Sequence, residues 1–438
     1  MGLSRSLVTA HTSLRAHQQR LDVIANNVAN VNTIGYKASR ARFAEQMLQR
    51  LALGALPAGS AGGVDPLQIG MGVRLATILT DLSQGTLAPT GRPLDVAVRG
   101  EGFFVVRLNG RQFFTRAGSF TVDAQGNVVD TATGAVVQGY GIVLDPNGRP
   151  VRDSSGNTVL SRRVEALRIP PGIYSPAHQT ERVRLSGNLS PEMSNGESIA
   201  TSILIYDSRG VTHVLRLEFR KTATPNEFEL SATLDGQPLS LPSGSSPVRF
   251  QADGTLESPL SVTIAASELN TALGANPPVF DPGKTLTIEL APEGNLLAGV
   301  RQVAGPSTLA AVEQDGYGVG ELVELRVDTT GKLVGSFSNG RTEVLGQLVI
   351  AQFVNPGGLL REGDNLFAVS PNSGAPILGT AGELFPATSI VGGAVEESNV
   401  DLTVEFTELI ATQRAFEAAA RTVTVSDQML AEVNALKR

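Results

Sequence analysis

Histidine is the side chain whose charge changes near neutral pH, and this chain has four: His11, His17, His178 and His213. They are scattered, and none sits in an H-E-x-x-H, G-x-S-x-G or Walker A spacing. Cysteine is absent, which removes disulfides, thiolate catalysis and Cys-ligated zinc together. Five D-x-x-G-x stretches begin at residues 123, 145, 153, 207 and 328. Each supplies one Asp, whereas a calcium loop needs several spaced oxygen ligands and a closing Glu, so they read as β-turns. GYGVG (316–320) lacks the lysine of a phosphate loop and reads as a turn. Glu396 and Glu397 are adjacent and read as an exposed polar approach to a helix, not as a catalytic pair. No cofactor is expected. One polar group stands out: Asn26, Asn27 and Asn30, inside DVIANNVANVNTIGYK (22–37). Asn cannot titrate, but its amide gives two donors and a two-lone-pair acceptor. It is a poor helix former, so three in one helical stretch need a reason.

The elements that carry these residues follow from Gly and Pro. Residues 3–34 and 394–438 contain neither, while the rest of the chain is rich in both, with 47 Gly and 24 Pro overall. The two ends are therefore predicted to be long helices. Leu3, Leu7, Ala10, Leu14, Leu21, Ile24, Val28 and Val31 keep alternating steps of four and three. Leu402, Phe406, Leu409, Phe416, Ala420, Val423 and Leu430 do the same, with Gln413 and Asp427 as exceptions. This is the spacing of a coiled-coil seam, and ordinary core-packing helices share it. Residues 1–50 carry seven Arg/Lys against two Asp/Glu, and residues 395–438 four against eight, so the ends suit each other in charge.

The middle reads as β. HVLRLEFRK (213–221) puts Leu215, Leu217 and Phe219 on one face, and LTIEL (286–290) does so with Leu286, Ile288 and Leu290. GALPAGSAGGVDP (54–66) reads as a flexible loop, with softer breaks at 172–181 and 304–320. A net charge of −7, with no basic cluster interleaved with aromatics, argues against nucleic acid. No apolar run is long enough for a membrane helix, and the first twenty residues contain no signal-peptide core. Residues 222–312 contain only Phe228, Phe250 and Phe280 as aromatics, too few for a carbohydrate-binding platform.

ANNVANVNTIGYK (25–37) and EESNVDLTVEFTELIATQRAFEAAARTVTVSDQML (396–430) closely resemble the two ends of flagellar rod and hook axial proteins. GRPLDVAVRGEGFFVV (91–106) with FFTRAGSF (113–120) resembles that family's first β-domain opening. FSNGRTEVLGQLVIAQFVNPGGL (337–359) with NLFAVS (365–370) resembles its return. TSILIYDSRGVTHVLRLEF (201–219) resembles the outer β-domain found in hook subunits, with a distal rod protein as the alternative. Phe416 stands where Tyr is common, and Ala415 and Ala419 where Asn is frequent.

The resemblance implies a multidomain fold with a coiled-coil-like inner zone from both ends. Two mainly antiparallel β-domains follow, the outer inserted into the inner. The implied divisions are an inner helix over 1–31, a linker over 32–90 and a β-domain from 91–180 plus 313–390. An inserted domain over 181–312 and an inner helix over 391–438 complete them. It further implies a flexible hollow tube of identical subunits that transmits torque. The implied partners are the distal rod, hook cap, hook–filament junction and flagellar type III export apparatus, with no nucleic acid and no membrane insertion. The product would be an extracellular appendage exported without a cleaved signal peptide. On this reading Leu14, Leu21, Ile24, Leu402, Phe406, Leu409, Gln413, Phe416 and Val423 serve subunit assembly. Asn26, Asn27 and Asn30 bond neighbouring subunits, because neutral amides avoid burying charge between copies.

Overall fold

The computed structural model describes residues 2–54, 63, 65–146, 150–153, 158–292 and 298–436. Among the described residues its α-helices are α1 (Gly2–Ala29), α2 (Ala266–Leu273) and α3 (Leu402–Leu436), and the remaining regular structure is almost all strand. Most of the loop expected at 54–66, and parts of the turns at 145 and 153, lie outside the described residues. The chain divides into two compact units. One comprises Met1–Pro171, Leu325–Gly335 and Glu343–Arg438, the other Gly172–Glu324 and Ser336–Thr342.

In the first unit α1 packs along α3. The absence of Gly and Pro lets both helices run long, and α1 ends where Asn and Gly residues take over. The segment after α1 is not a featureless linker. Strands β1 (Ser39–Glu45) and β2 (Leu48–Ala52) run out, and β3 (Leu67–Gly70) and β4 (Val73–Thr80) return. β1 pairs antiparallel with β4 and β2 with β3, making a two-stranded ribbon whose inner part lies against α1. Two further strands, β5 (Leu87–Pro89) and β6 (Val96–Arg99), pair with Ala394–Glu396 and Ser389–Gly392. Helix α3 thus starts at Leu402, and residues 394–396, expected within the C-terminal helical segment, are strand.

The larger sheet of this unit contains β7 (Phe103–Leu108) and β8 (Arg111–Thr115), flanked by Val136–Gly141 and Leu366–Ala368. Phe103, Phe114, Phe353 and Phe367 pack edge-on or tilted in its core. Such ring geometry adds to the area buried.

The second unit holds two sheets around one core. Ser198–Tyr206, Thr212–Lys221 and Glu227–Leu234 form an antiparallel meander, extended by Val248–Phe250 and Leu256–Ser258. The second sheet is mixed, because Arg182–Asn188 runs parallel to Thr285–Glu289 and antiparallel to Ala310–Gln314. Leu215, Leu217, Phe219, Leu286, Ile288 and Leu290 are all fully buried, so the period-two alternation reads directly onto this core. Helix α2 closes one edge and ends on Gly274 in the left-handed region.

Asp123, Asp207 and Asp328 share one turn geometry: Oδ1 accepts from the backbone N–H groups two and four residues on. The glycines of these turns, Gly126, Gly210 and Gly331, have φ of 87°, 87° and 81°. The carboxylates are used as backbone caps, which is why each stretch needs only one.

Phe219→Ala removes a large side chain from a closed core and is expected to destabilise the second unit by about 3–5 kcal/mol. Urea unfolding followed by circular dichroism measures this. A loss below about 1 kcal/mol would mean the core is not continuous.

Candidate functional site

The end of α1 delivers Asn27 into the junction between α1, β1 and α3, where it is buried. Its Nδ2 donates to Ser39 O (2.8 Å) and Glu405 Oε1 (3.2 Å). Its Oδ1 accepts from Ser39 N (2.9 Å) and the Tyr36 hydroxyl (3.2 Å). Both donors and both lone pairs are therefore used within the chain. The expectation that Asn27 bonds a neighbouring subunit is corrected here, since it has nothing left to offer one. Asn26 and Asn30 differ. Asn30 Nδ2 donates to Asn26 O (2.8 Å) and Asn26 Oδ1 (2.7 Å), and Asn30 Oδ1 accepts from Thr33 (3.1 Å). The two line an open cavity of about 530 Å³ together with Tyr36, Ile78 and Arg361.

Glu405, absent from the expected site, is the charged member of the junction. Burial raises its carboxyl above the ordinary value, and the amide of Asn27 acts against that shift. Arg20 reaches the next turn of α3 at Glu408 (3.0 Å).

The seam follows a different row from the apolar one. Of the expected α1 residues, Ile24 is buried and Leu14 and Leu21 half-buried. On α3, Leu409, Phe416 and Val423 are half-buried, whereas Leu402, Phe406 and Gln413 are exposed. The buried positions are Glu405, Thr412, Ala419 and Ser426, seven apart. Heptad spacing therefore holds, but one row lies one residue earlier than hydrophobicity indicates. Small or hydrogen-bonded residues fill it: the Thr412 hydroxyl donates to Glu408 O, and Glu405 holds Asn27. The two exceptions in the apolar row, Gln413 and Asp427, are exposed. They were the sequence signal that the row was displaced.

A second cluster ties both ends to the β-structure. The Glu396 side chain is fully buried, not exposed as its neighbourhood in the sequence suggests. Its Oε1 accepts from Lys37 Nζ (2.7 Å) and Gly85 N (2.9 Å), and its Oε2 from Arg116 (3.3 Å). Lys37 Nζ also donates to Ser83 O (2.7 Å), and Arg116 to Gly100 O (2.7 Å) while lying over the Phe103 ring. Burial holds both cations below their ordinary pKa values, and the Glu396 carboxylate acts against it in each case. Gly35, with φ of 70°, donates to Glu396 O (2.7 Å) and passes so close to Ala117 that a Cβ would meet its nitrogen at 2.5 Å. Asn399 completes the cluster by accepting from Ala38 N (2.8 Å) and donating to Asp81 O (2.9 Å).

Nearly all of these groups pair with one another; the Arg116 Nε is buried without a partner among the described residues. The arrangement is a structural clamp that ties the end of α1 and the approach to α3 to the β-structure. Four family models match successive parts of the chain. Residues 7–37 match the family described as flagella basal body rod protein, and 97–175 the flagellar hook protein FlgE/F/G D1 domain. Residues 176–317 match the flagellar basal body protein FlaE D2 domain, and 391–436 the flagellar basal body rod FlgEFG protein C-terminal family. The chain is 36% identical to the flagellar hook protein FlgE of Treponema pallidum, over 100% of both chains. It is 34% identical to that of Borreliella burgdorferi, over 99% of this chain and 100% of the relative. It is 31% identical to that of Escherichia coli K12, over 96% and 97%. The chain belongs to the flagellar hook protein FlgE family.

Asn27→Ala leaves buried partners unsatisfied and is expected to cost the isolated chain about 1–3 kcal/mol. Asn26→Ala, at an exposed position, is expected to stay within about 0.5 kcal/mol. Denaturant titration of the two variants distinguishes them, and equal effects would contradict the assignment.

The raised pKa of Glu405 means that the folded chain holds this proton to higher pH than the unfolded chain. Stability from that proton is present below the ordinary carboxylate range and is lost as pH rises through the raised value. Glu405→Gln keeps the acceptor for Asn27 without the charge. The variant should be the more stable chain at neutral pH, and the two should converge below the ordinary carboxylate range. Thermal melts across pH measure this, and a constant offset at all pH values would refute it.

Proposed function

We propose that the chain is the structural subunit of the bacterial flagellar hook. It polymerises into a flexible hollow tube that carries torque from the rod to the filament. The observation that carries this reading is the apolar surface left uncovered on the helical ends. Leu402, Phe406, Ile410, Val425, Met429 and Val433 of α3 are all exposed, and so are Met47, Leu48, Leu51 and Leu53 at and around β2 of the ribbon. Exposed surface of this kind marks protein–protein contact. Supported by the family, α1 and α3 form the inner zone of the tube, the remaining first-unit β-structure surrounds it, and the second unit is the outer domain inserted in the chain. Partners are further copies, the distal rod, the hook cap, the hook–filament junction and the type III export apparatus. The product is an extracellular appendage. The relatives matching the full length are hook proteins, which disfavours the distal rod alternative.

Electron microscopy of the concentrated chain tests this. Hollow tubes are the expected outcome. A chain that stays monomeric by light scattering at every concentration where it remains soluble would overturn it.

A further inference from the structure

Two complementary features of the helical pair stand open to solvent. The first is a ridge. Leu402, Phe406 and Ile410 follow one another at steps of four on α3, and are 39%, 49% and 52% exposed. Steps of four make the commonest ridge in helix packing, and ridges pack into grooves. The second is a groove of about 700 Å³ between α1, β3 and α3, lined by Thr9, Ser13, Ile69, Ala415, Ala418 and Thr422. Its side chains are short apart from Ile69 and Arg5, so it is open to larger ones.

The two features lie on opposite sides of α3. At about 100° per residue, the ridge and the α3 wall of the groove point about 170° apart. A patch on one side that fits a patch on the other produces a head-to-tail contact, which grows without closing into a dimer. Charge supports the same pairing. The first 21 residues carry Arg5, Arg15 and Arg20 and no acidic residue, and Arg5 stands at the groove. Helix α3 carries Glu405, Glu408, Glu417, Asp427 and Glu432 against Arg414 and Arg421. Glu417, seven residues beyond Ile410, continues the ridge face and is exposed.

We propose that the Leu402–Phe406–Ile410 ridge of one copy seats in the α1–β3–α3 groove of the next copy, with Glu417 directed to the basic rim at Arg5. The inference rests on the polymer reading and assigns its inner contact.

The chain's lack of cysteine makes the test direct. Chains with Ile410→Cys alone and Thr9→Cys alone are mixed, assembled and oxidised, and a third chain carries both changes. Disulfide-linked pairs from the mixture, and a ladder beyond the dimer from the double variant, are expected in tubes. Tubes without mixed pairs, or a double variant that stops at the dimer, overturn the ridge-in-groove contact while leaving the polymer reading standing. Failure of the unmodified chain to form tubes overturns both. Should the cysteine chains not assemble, charge reversal decides. Arg5→Glu is expected to lower tube yield about tenfold, and Glu417→Arg in the same chain to restore it. No restoration counts against the proposal.

Discussion

A buried carboxylate cannot stand without compensation, and the one on Glu396 organises much of the first unit around that requirement. Its partners come from three distant stretches: Lys37 after α1, Gly85 before β5 and Arg116 after β8. Each donor is fixed in turn, Lys37 by Ser83 O and Arg116 by Gly100 O and the face of Phe103. The backbone follows the same logic, since Gly35 bonds the Glu396 carbonyl where no side chain would fit beside Ala117. The cluster costs desolvation of three charges, so its value lies in geometry more than in net stability. It fixes where the chain leaves α1 and where it approaches α3.

From that anchor the junction at Asn27 becomes intelligible. A helix pair crossing out of a β-structured unit must end its polar backbone somewhere, and the amide bridges three elements without adding charge. Glu405 supplies the one acceptor that only α3 can reach. The same region leaves Asn26 and Asn30 facing an open cavity, so neighbouring asparagines in one stretch do different work.

Much of the fold could be read from residue order. The Gly- and Pro-free ends became α1 and α3, and the alternation through Leu215, Leu217 and Phe219 fell on one core. The site was less legible, for a physical reason. Apolar periodicity finds surface that will be buried somewhere, but does not say whether within one chain or between chains. It therefore selected Leu402 and Phe406, which a single chain leaves exposed, and passed over Thr412, Ala419 and Ser426, which it buries. Glu396 was missed because its partners are remote in sequence, the nearest more than 250 residues away. The ribbon was missed because its strands have no core to impose clean alternation; every residue of β2 and β3 is exposed.

The seam between α1 and α3 is uneven along its length. Near the start of α3 it is pinned by Asn27–Glu405 and Arg20–Glu408, both polar and directional. Farther along, the buried row is Thr412, Ala419 and Ser426, flanked by half-buried Phe416 and Val423, and the contacts are apolar and less directional. The directional polar contacts between the two helices are therefore gathered at one end, which holds the pair as a clamp holds a leaf spring at its root.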